Sequence, residues 1–120
     1  MDIRQHRKLD VWKKSMIFVK DIYQVTETFP KHEMYGLISQ MRRAAVSVPS
    51  NVAEGAARKG KKEFMQSLNI AQGSISELDT QVELALMLNY INTEIYKILM
   101  EELNSISKML FGLSRSLSKT

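Results

Sequence analysis

Residues that could perform chemistry surround Pro49 in the segment SVPSNVAEG, where serine hydroxyls are candidate nucleophiles. No histidine or lysine lies near Ser47 or Ser50 to activate a hydroxyl. Serine and asparagine side chains can instead bond backbone carbonyls that a helical proline leaves unpaired or strained. The segment therefore favours a structural role, and we expect a protein that is not an enzyme.

Metal and nucleotide sites are not indicated by the other motifs. The two histidines, His6 and His32, pair with no second histidine at metal-binding spacing, and the Glu-x-x-His pairs of di-iron bundles do not occur. The stretch GAARKGKK is close to a phosphate loop, but it lacks the final Ser or Thr and a preceding strand. We therefore expect no metal and no cofactor.

Three features missing from the sequence indicate the cellular compartment of the protein. Without cysteine, disulfides, thiolate catalysis and Cys-based metal sites are excluded. The N-terminal residues lack the pattern of a signal peptide, and no apolar run approaches the length of a membrane span. We expect a cytoplasmic protein with no membrane partner.

Positive charge is concentrated in the first half of the chain. Residues 1–62 hold 13 Lys and Arg against 6 Asp and Glu, giving +7, whereas residues 63–120 hold 4 against 7, giving −3. The cations form two clusters, one of Arg58, Lys59, Lys61 and Lys62, and one of Arg4, Arg7, Lys8, Lys13 and Lys14. Such clusters suit a phosphate backbone, so RNA or DNA is the expected partner. Ordinary solvated helix ends are the alternative.

Hydrophobic periodicity predicts four long helices, at about residues 9–28, 35–59, 62–89 and 93–117. Long amphipathic helices with short connections predict an all-α, antiparallel up-down four-helix bundle, a single domain spanning residues 1–120. In that topology the start of the first helix and the end of the second lie at the same end. The two basic clusters would meet there.

Pro49 lies inside the second predicted helix, whose apolar phase continues from Leu37 to Ala56. Proline in a helix interior removes one hydrogen bond, costs about 3 kcal/mol and bends the axis. We therefore predict a kink at Pro49. A break, with Ser47 capping a new helix, is the alternative.

The first predicted helix carries two apolar stripes. One runs through Leu9, Trp12, Met16, Val19 and Tyr23, and the other through Val11, Phe18, Ile22 and Val25. A helix that is apolar over more than one face either lies between layers of its own domain or also contacts a neighbouring subunit.

The residues QMRRAAVSVPSNVAEGAARKGKKEFMQSLNIAQGSISELDTQVELA resemble the four-helix-bundle protein family of 23S ribosomal RNA intervening sequences. The stretch LDVWKKSMIFVKDIY looks like the start of that family, and the likeness covers about residues 8–115. The resemblance implies an up-down bundle that assembles as a homopentamer. Accessory variability proteins of diversity-generating retroelements look similar in fold and bind nucleic acid and a reverse transcriptase. The resemblance therefore implies nucleic-acid association rather than catalysis.

Five residues of the family pattern match here one by one, namely Arg43, Pro49, Asn51, Glu54 and Gly55. We expect them to shape the second helix and its packing, or to form an interface between protomers. The sequence thus predicts a homo-oligomer, expected to be a pentamer, that binds RNA or DNA through a basic end. A protein–protein scaffold or adaptor with no nucleic-acid role is the alternative.

Overall fold

Four long helices make up most of the structure, a computed structural model that describes residues 4–119. They are α1 (Asp10–Thr26), α2 (Leu37–Ala57), α3 (Lys61–Met87) and α4 (Thr93–Ser118). Short 3₁₀ segments precede α1 at Gln5–Lys8 and α2 at Lys31–Glu33, and no strand occurs between residues 4 and 119. The predicted all-α class with four helices is confirmed. The observed bounds differ from the expected ones by at most two residues.

Contacts between the helices show how the chain folds back on itself. Arg42, early in α2, donates a 2.9 Å hydrogen bond from Nε to the hydroxyl of Thr26, the last residue of α1. Tyr96, early in α4, donates a 2.7 Å hydrogen bond to Glu83, late in α3. The most extensive contact joins α2 to α3, and α1 also packs against α4. The four helices therefore pack around one core, and their antiparallel order stays a prediction.

The two stripes of α1 have different surroundings. Phe18 and Ile22 are fully buried in the core shared by the four helices. On the other stripe Met16 is 45% exposed and Tyr23 is 42% exposed. Leu9, Trp12 and Val19 of that stripe are half-buried and pack against the same core. The stripe therefore lies at the edge of the core, and Met16 and Tyr23 reach the outer surface.

Pro49 interrupts neither the helix nor its packing, since α2 is continuous from Leu37 to Ala57 and Pro49 is buried. The alternative of a break capped by Ser47 is therefore wrong, while the size of any bend stays a prediction. Asn51 donates from Nδ2 to the carbonyl oxygen of Ser47 at 2.8 Å and to its hydroxyl at 3.0 Å. Ser74 of α3 donates to the same hydroxyl at 2.8 Å. The polar side chains beside Pro49 are thus satisfied within the bundle.

Gly55 lies at a close approach of α2 and α3. A Cβ added at Gly55 would lie 2.7 Å from Cδ1 of Phe64 and 2.8 Å from Cβ of Ser67. Cβ atoms do not approach one another to that distance without a shift of the backbone. A side chain of any size at position 55 would therefore push the two helices apart.

The seam between α1 and α4 holds one titratable pair, Asp21 and Glu102, which line the same small cavity. Glu102 shares a hydrogen bond with Asp21, and its Oε1 is buried without a partner among the described residues. Burial, followed by the hydrogen bond and negative charge of Asp21, raises the pKa of Glu102 to about 7, against the opposing effect of Lys14. Glu102 therefore holds a proton at mildly acid pH.

Replacement of Gly55 by Ala tests the close approach of α2 and α3. Alanine contributes about 1 kcal/mol of helix propensity, but overpacking against Phe64 and Ser67 costs about 1–3 kcal/mol. We expect Gly55→Ala to unfold at lower denaturant concentration than the parent chain. Gly112→Ala is the matched control because nothing lies within 4 Å of its added Cβ, and it should gain about 1 kcal/mol. Equal gains at both positions would contradict the close approach.

Replacement of Glu102 by Gln tests the protonated pair. The pKa of Glu102 is higher in the folded chain than its ordinary value of 4.5, so the stabilisation is complete below pH 4.5 and is lost as the pH rises through about 7. Gln stays neutral, so at pH 8 the variant should be more stable by about 1–2 kcal/mol after allowance for partial exposure. Urea unfolding between pH 5 and pH 8 measures this, with the exposed Glu101→Gln as control. Parallel stability curves for Glu102→Gln and the parent chain would contradict it.

Candidate nucleic-acid interface

Residues of all four helices and of the 3₁₀ segment before α1 lie at one end of the bundle. Trp12 of α1 and Ala53 of α2 line one groove, and Lys61 of α3 and Leu117 of α4 line another. The 3₁₀ segment Gln5–Lys8 packs against α2. The topology therefore carries both basic clusters to this end. We call it the basic end and define it by Arg7, Lys8, Lys13, Lys14, Arg58, Lys59, Lys61 and Lys62.

The cluster of Arg58, Lys59, Lys61 and Lys62 spans the three residues between α2 and α3 and the first two residues of α3, and we call residues 58–62 the α2–α3 connection. Arg58 follows α2 with φ −76° and ψ 153°, and Gly60 precedes α3 with φ −103° and ψ 143°, so both are extended. All four cations of this cluster are exposed. The charges of this cluster therefore face solvent.

Only part of this charge is neutralised within the protein. Arg58 donates to Glu54 at 3.1 Å in an exposed ion pair one helical turn apart. Within residues 4–119, Lys59, Lys61 and Lys62 form no ion pair. The carboxylate of Glu63 folds back against Gly60 at the first turn of α3. Three ammonium groups thus remain available to an external anion, with one carboxylate close by.

The side chains of the other cluster, which lies in the 3₁₀ segment and the start of α1, differ in their exposure. Arg7, Lys8 and Lys13 are exposed, whereas Lys14 is half-buried. The positive charge of Lys14 acts on Glu102 and lowers its pKa, which places Lys14 on the α4 side of α1.

The five family-pattern residues have separate surroundings. Pro49 and Gly55 are buried in α2, Asn51 bonds to Ser47, and Glu54 pairs with Arg58. Arg43 is exposed and lines a polar groove of about 330 Å³ between α2 and α3, together with Ser47, Ser74 and Glu77. Four of the five thus contribute to α2 and its connection, and Arg43 points to the surface.

Arg42 joins α2 to the end of α1 through contacts that the sequence did not predict. Its guanidinium donates to the hydroxyl of Thr26 and to the carbonyl of Tyr23, pairs with Glu27 at 3.3 Å and stacks 4.6 Å from the centre of the Tyr23 ring. These partners lie in α1 or just after it, 15 to 19 residues away. Contacts between residues so far apart in sequence leave no local pattern, and the sequence therefore predicted a role for the neighbouring Arg43 but none for Arg42.

An apolar groove of about 340 Å³ runs along the outer side of α1 and α2. It is lined by the exposed stripe of α1 and by small and apolar residues of α2, namely Trp12, Met16, Val19, Val46, Pro49, Ser50 and Ala53. Val46, one of these residues, is 40% exposed. Exposed apolar side chains of two helices thus lie side by side on this face.

The described residues include neither a metal-binding group nor a membrane-spanning helix. Among residues 4–119, no group of three or more His, Asp or Glu side chains is arranged to hold a metal ion. In the same part of the chain, no helix has the length and apolar character needed to cross a bilayer.

Comparisons with known proteins agree with this architecture. The chain is similar to the crystal structure of a protein of unknown function from the S23 ribosomal protein family of Bacteroides thetaiotaomicron, with a TM-score of 0.81 and 24% identity. The alignment covers 88% of this chain and 95% of that one, which shows a shared fold. No curated protein matches the sequence. The sequence model for the 23S rRNA-intervening sequence proteins matches residues 7–112, and the chain belongs to that family.

Proposed function

We propose that the protein is a non-enzymatic, homo-oligomeric bundle that binds RNA or DNA through its basic end. The observation that supports this most strongly is the α2–α3 connection, which exposes four cations within residues 58–62. Three of these four form no ion pair in the described part of the chain. Cations of this kind neutralise phosphates and release their counterions, which favours association.

The geometry of the connection supports recognition of shape rather than sequence. The connection joins two helices in close contact, so the positions of its side chains are restricted by α2 and α3 together. Lysine ammonium groups contact phosphates as point charges, without reading base edges. We therefore infer a preference for a structured backbone over a particular base sequence.

Homo-oligomerisation is supported by the apolar groove of α1 and α2. Its apolar surface needs a partner, and the family resemblance implies a ring of identical chains. In a cyclic assembly every copy presents its basic end on the same side of the ring. Several weak phosphate-binding surfaces would then act on one nucleic acid, which raises the overall affinity well above that of a single copy.

The alternative is a protein–protein scaffold or adaptor without a nucleic-acid role. The same groove favours it, since a different protein could cover Met16 and Val46 as well as a second copy could. In that case the basic end is an ordinary solvated surface. The two functions differ in whether binding of nucleic acid depends on the α2–α3 connection.

Reversal of the four charges at the α2–α3 connection tests the proposal. Arg58, Lys59, Lys61 and Lys62 are all replaced by Glu, and binding to a structured RNA is measured by gel shift at two salt concentrations. We expect an affinity loss of about 100-fold and a log–log salt slope reduced by about 3, because each neutralised phosphate contributes about 0.7–0.9. Light scattering on the same samples should show one oligomer mass for the parent chain and the variant.

A matched control carries the same change of charge elsewhere, with the exposed Lys20, Lys31, Lys97 and Lys108 all replaced by Glu. Equal losses in both variants would show that net charge, rather than the basic end, drives association. A parent chain that binds no RNA at low salt would remove the nucleic-acid role and leave the scaffold. A monomeric parent chain would contradict the oligomer.

A further inference from the structure

We propose that a groove between the start of α3 and the end of α4 holds one unpaired nucleotide of a structured RNA. The inference rests on the proposed function and states which form of nucleic acid the basic end prefers. The groove has a volume of about 510 Å³, within the range of about 300–1,000 Å³ that is usual for small-ligand sites. Lys61 and Lys62, two cations of the α2–α3 connection, form part of its lining.

The floor of the groove is apolar and comes from two helices. Met65 of α3 and Leu117 of α4 are both half-buried, and Leu117 packs against the core. Thioether and aliphatic side chains offer a polarisable surface that can pack against the flat face of a base. This surface lies next to Lys61 and Lys62, so a nucleotide whose base rests on it can keep its phosphate on the ammonium groups.

Two amide side chains line the groove, and neither has a hydrogen-bond partner among the described residues. Gln66 and Asn69 are exposed and lie three residues apart on α3, hence on one face of the helix. Each amide has a donor and an acceptor, which is the combination that the edge of a nucleobase requires.

Phosphate, base face and base edge are presented together only by a nucleotide outside a duplex. In an RNA duplex the base faces are stacked and the Watson–Crick edges are paired. A duplex therefore offers the groove only its phosphates. A bulged, looped or overhanging nucleotide has both its face and its edges available. The groove therefore favours RNA that places one unpaired nucleotide beside a duplex, with the duplex phosphates on the rest of the basic end.

Two RNAs that differ by one nucleotide test the inference. Fluorescence anisotropy compares a plain duplex with the same duplex carrying one bulged nucleotide, at one salt concentration. We expect the parent chain to bind the bulged RNA about tenfold more tightly, because only the bulged nucleotide offers a base face to Met65 and a base edge to Gln66 and Asn69. In the double variant Gln66→Ala, Asn69→Ala this preference should fall to about twofold, with affinity for the plain duplex unchanged. Alanine at exposed helical positions preserves the fold.

Asn104→Ala is the control, because Asn104 is an exposed amide of α4 outside the groove, and it should keep the tenfold preference. Met65→Gln, which keeps the length of the side chain but adds polar groups to the floor, should also lose the preference. Equal binding of both RNAs by the parent chain would overturn the groove while leaving the proposed function standing. A double variant that weakens both RNAs equally would also overturn it. Absence of binding to either RNA would overturn the proposed function and the inference together.

Discussion

The close contact between α2 and α3 is the constraint on which the rest of the structure depends. Gly55 leaves no side chain between the helices where Phe64 and Ser67 approach it, and the Ser47–Ser74 hydrogen bond joins them eight residues earlier in α2. Because the helices meet so closely, three residues suffice to connect them. That short connection concentrates the cations of residues 58–62 in one exposed place. The packing of the bundle thus determines where its charge is displayed.

This contact also explains how the segment SVPSNVAEG is used. Hydroxyl and amide groups of Ser47 and Asn51 are occupied by each other, by Ser74 and by the backbone. They have little remaining capacity to bind a ligand or to attack a substrate. The lysines that follow have no comparable partners within the described residues. The segment shapes the bundle, and its basic continuation is the part available to another molecule.

The helices could be predicted from the sequence because their apolar spacing is regular. The same regular spacing continues through Pro49, and it therefore predicted a helix that is not broken there. Periodicity reports which face of a helix is buried, but it does not report which residue lies opposite. Glu102 therefore could not be assigned to Asp21, which is 81 residues away, nor Leu117 to the groove beside Lys61. The contacts of Arg42 could not be predicted because its partners lie in another helix. The position of the basic end followed from helix direction alone, whereas its apolar and amide neighbours required the structure.

Lysine footprinting tests most directly the claim that nucleic acid occupies the basic end. The intact protein is acetylated briefly with and without a structured RNA, and the modification of each lysine is measured by mass spectrometry. The account predicts that RNA protects Lys59, Lys61 and Lys62, whereas the exposed Lys97 and Lys108 on α4 react at unchanged rates. Unchanged modification of all five lysines, or equal protection of all five, would contradict it.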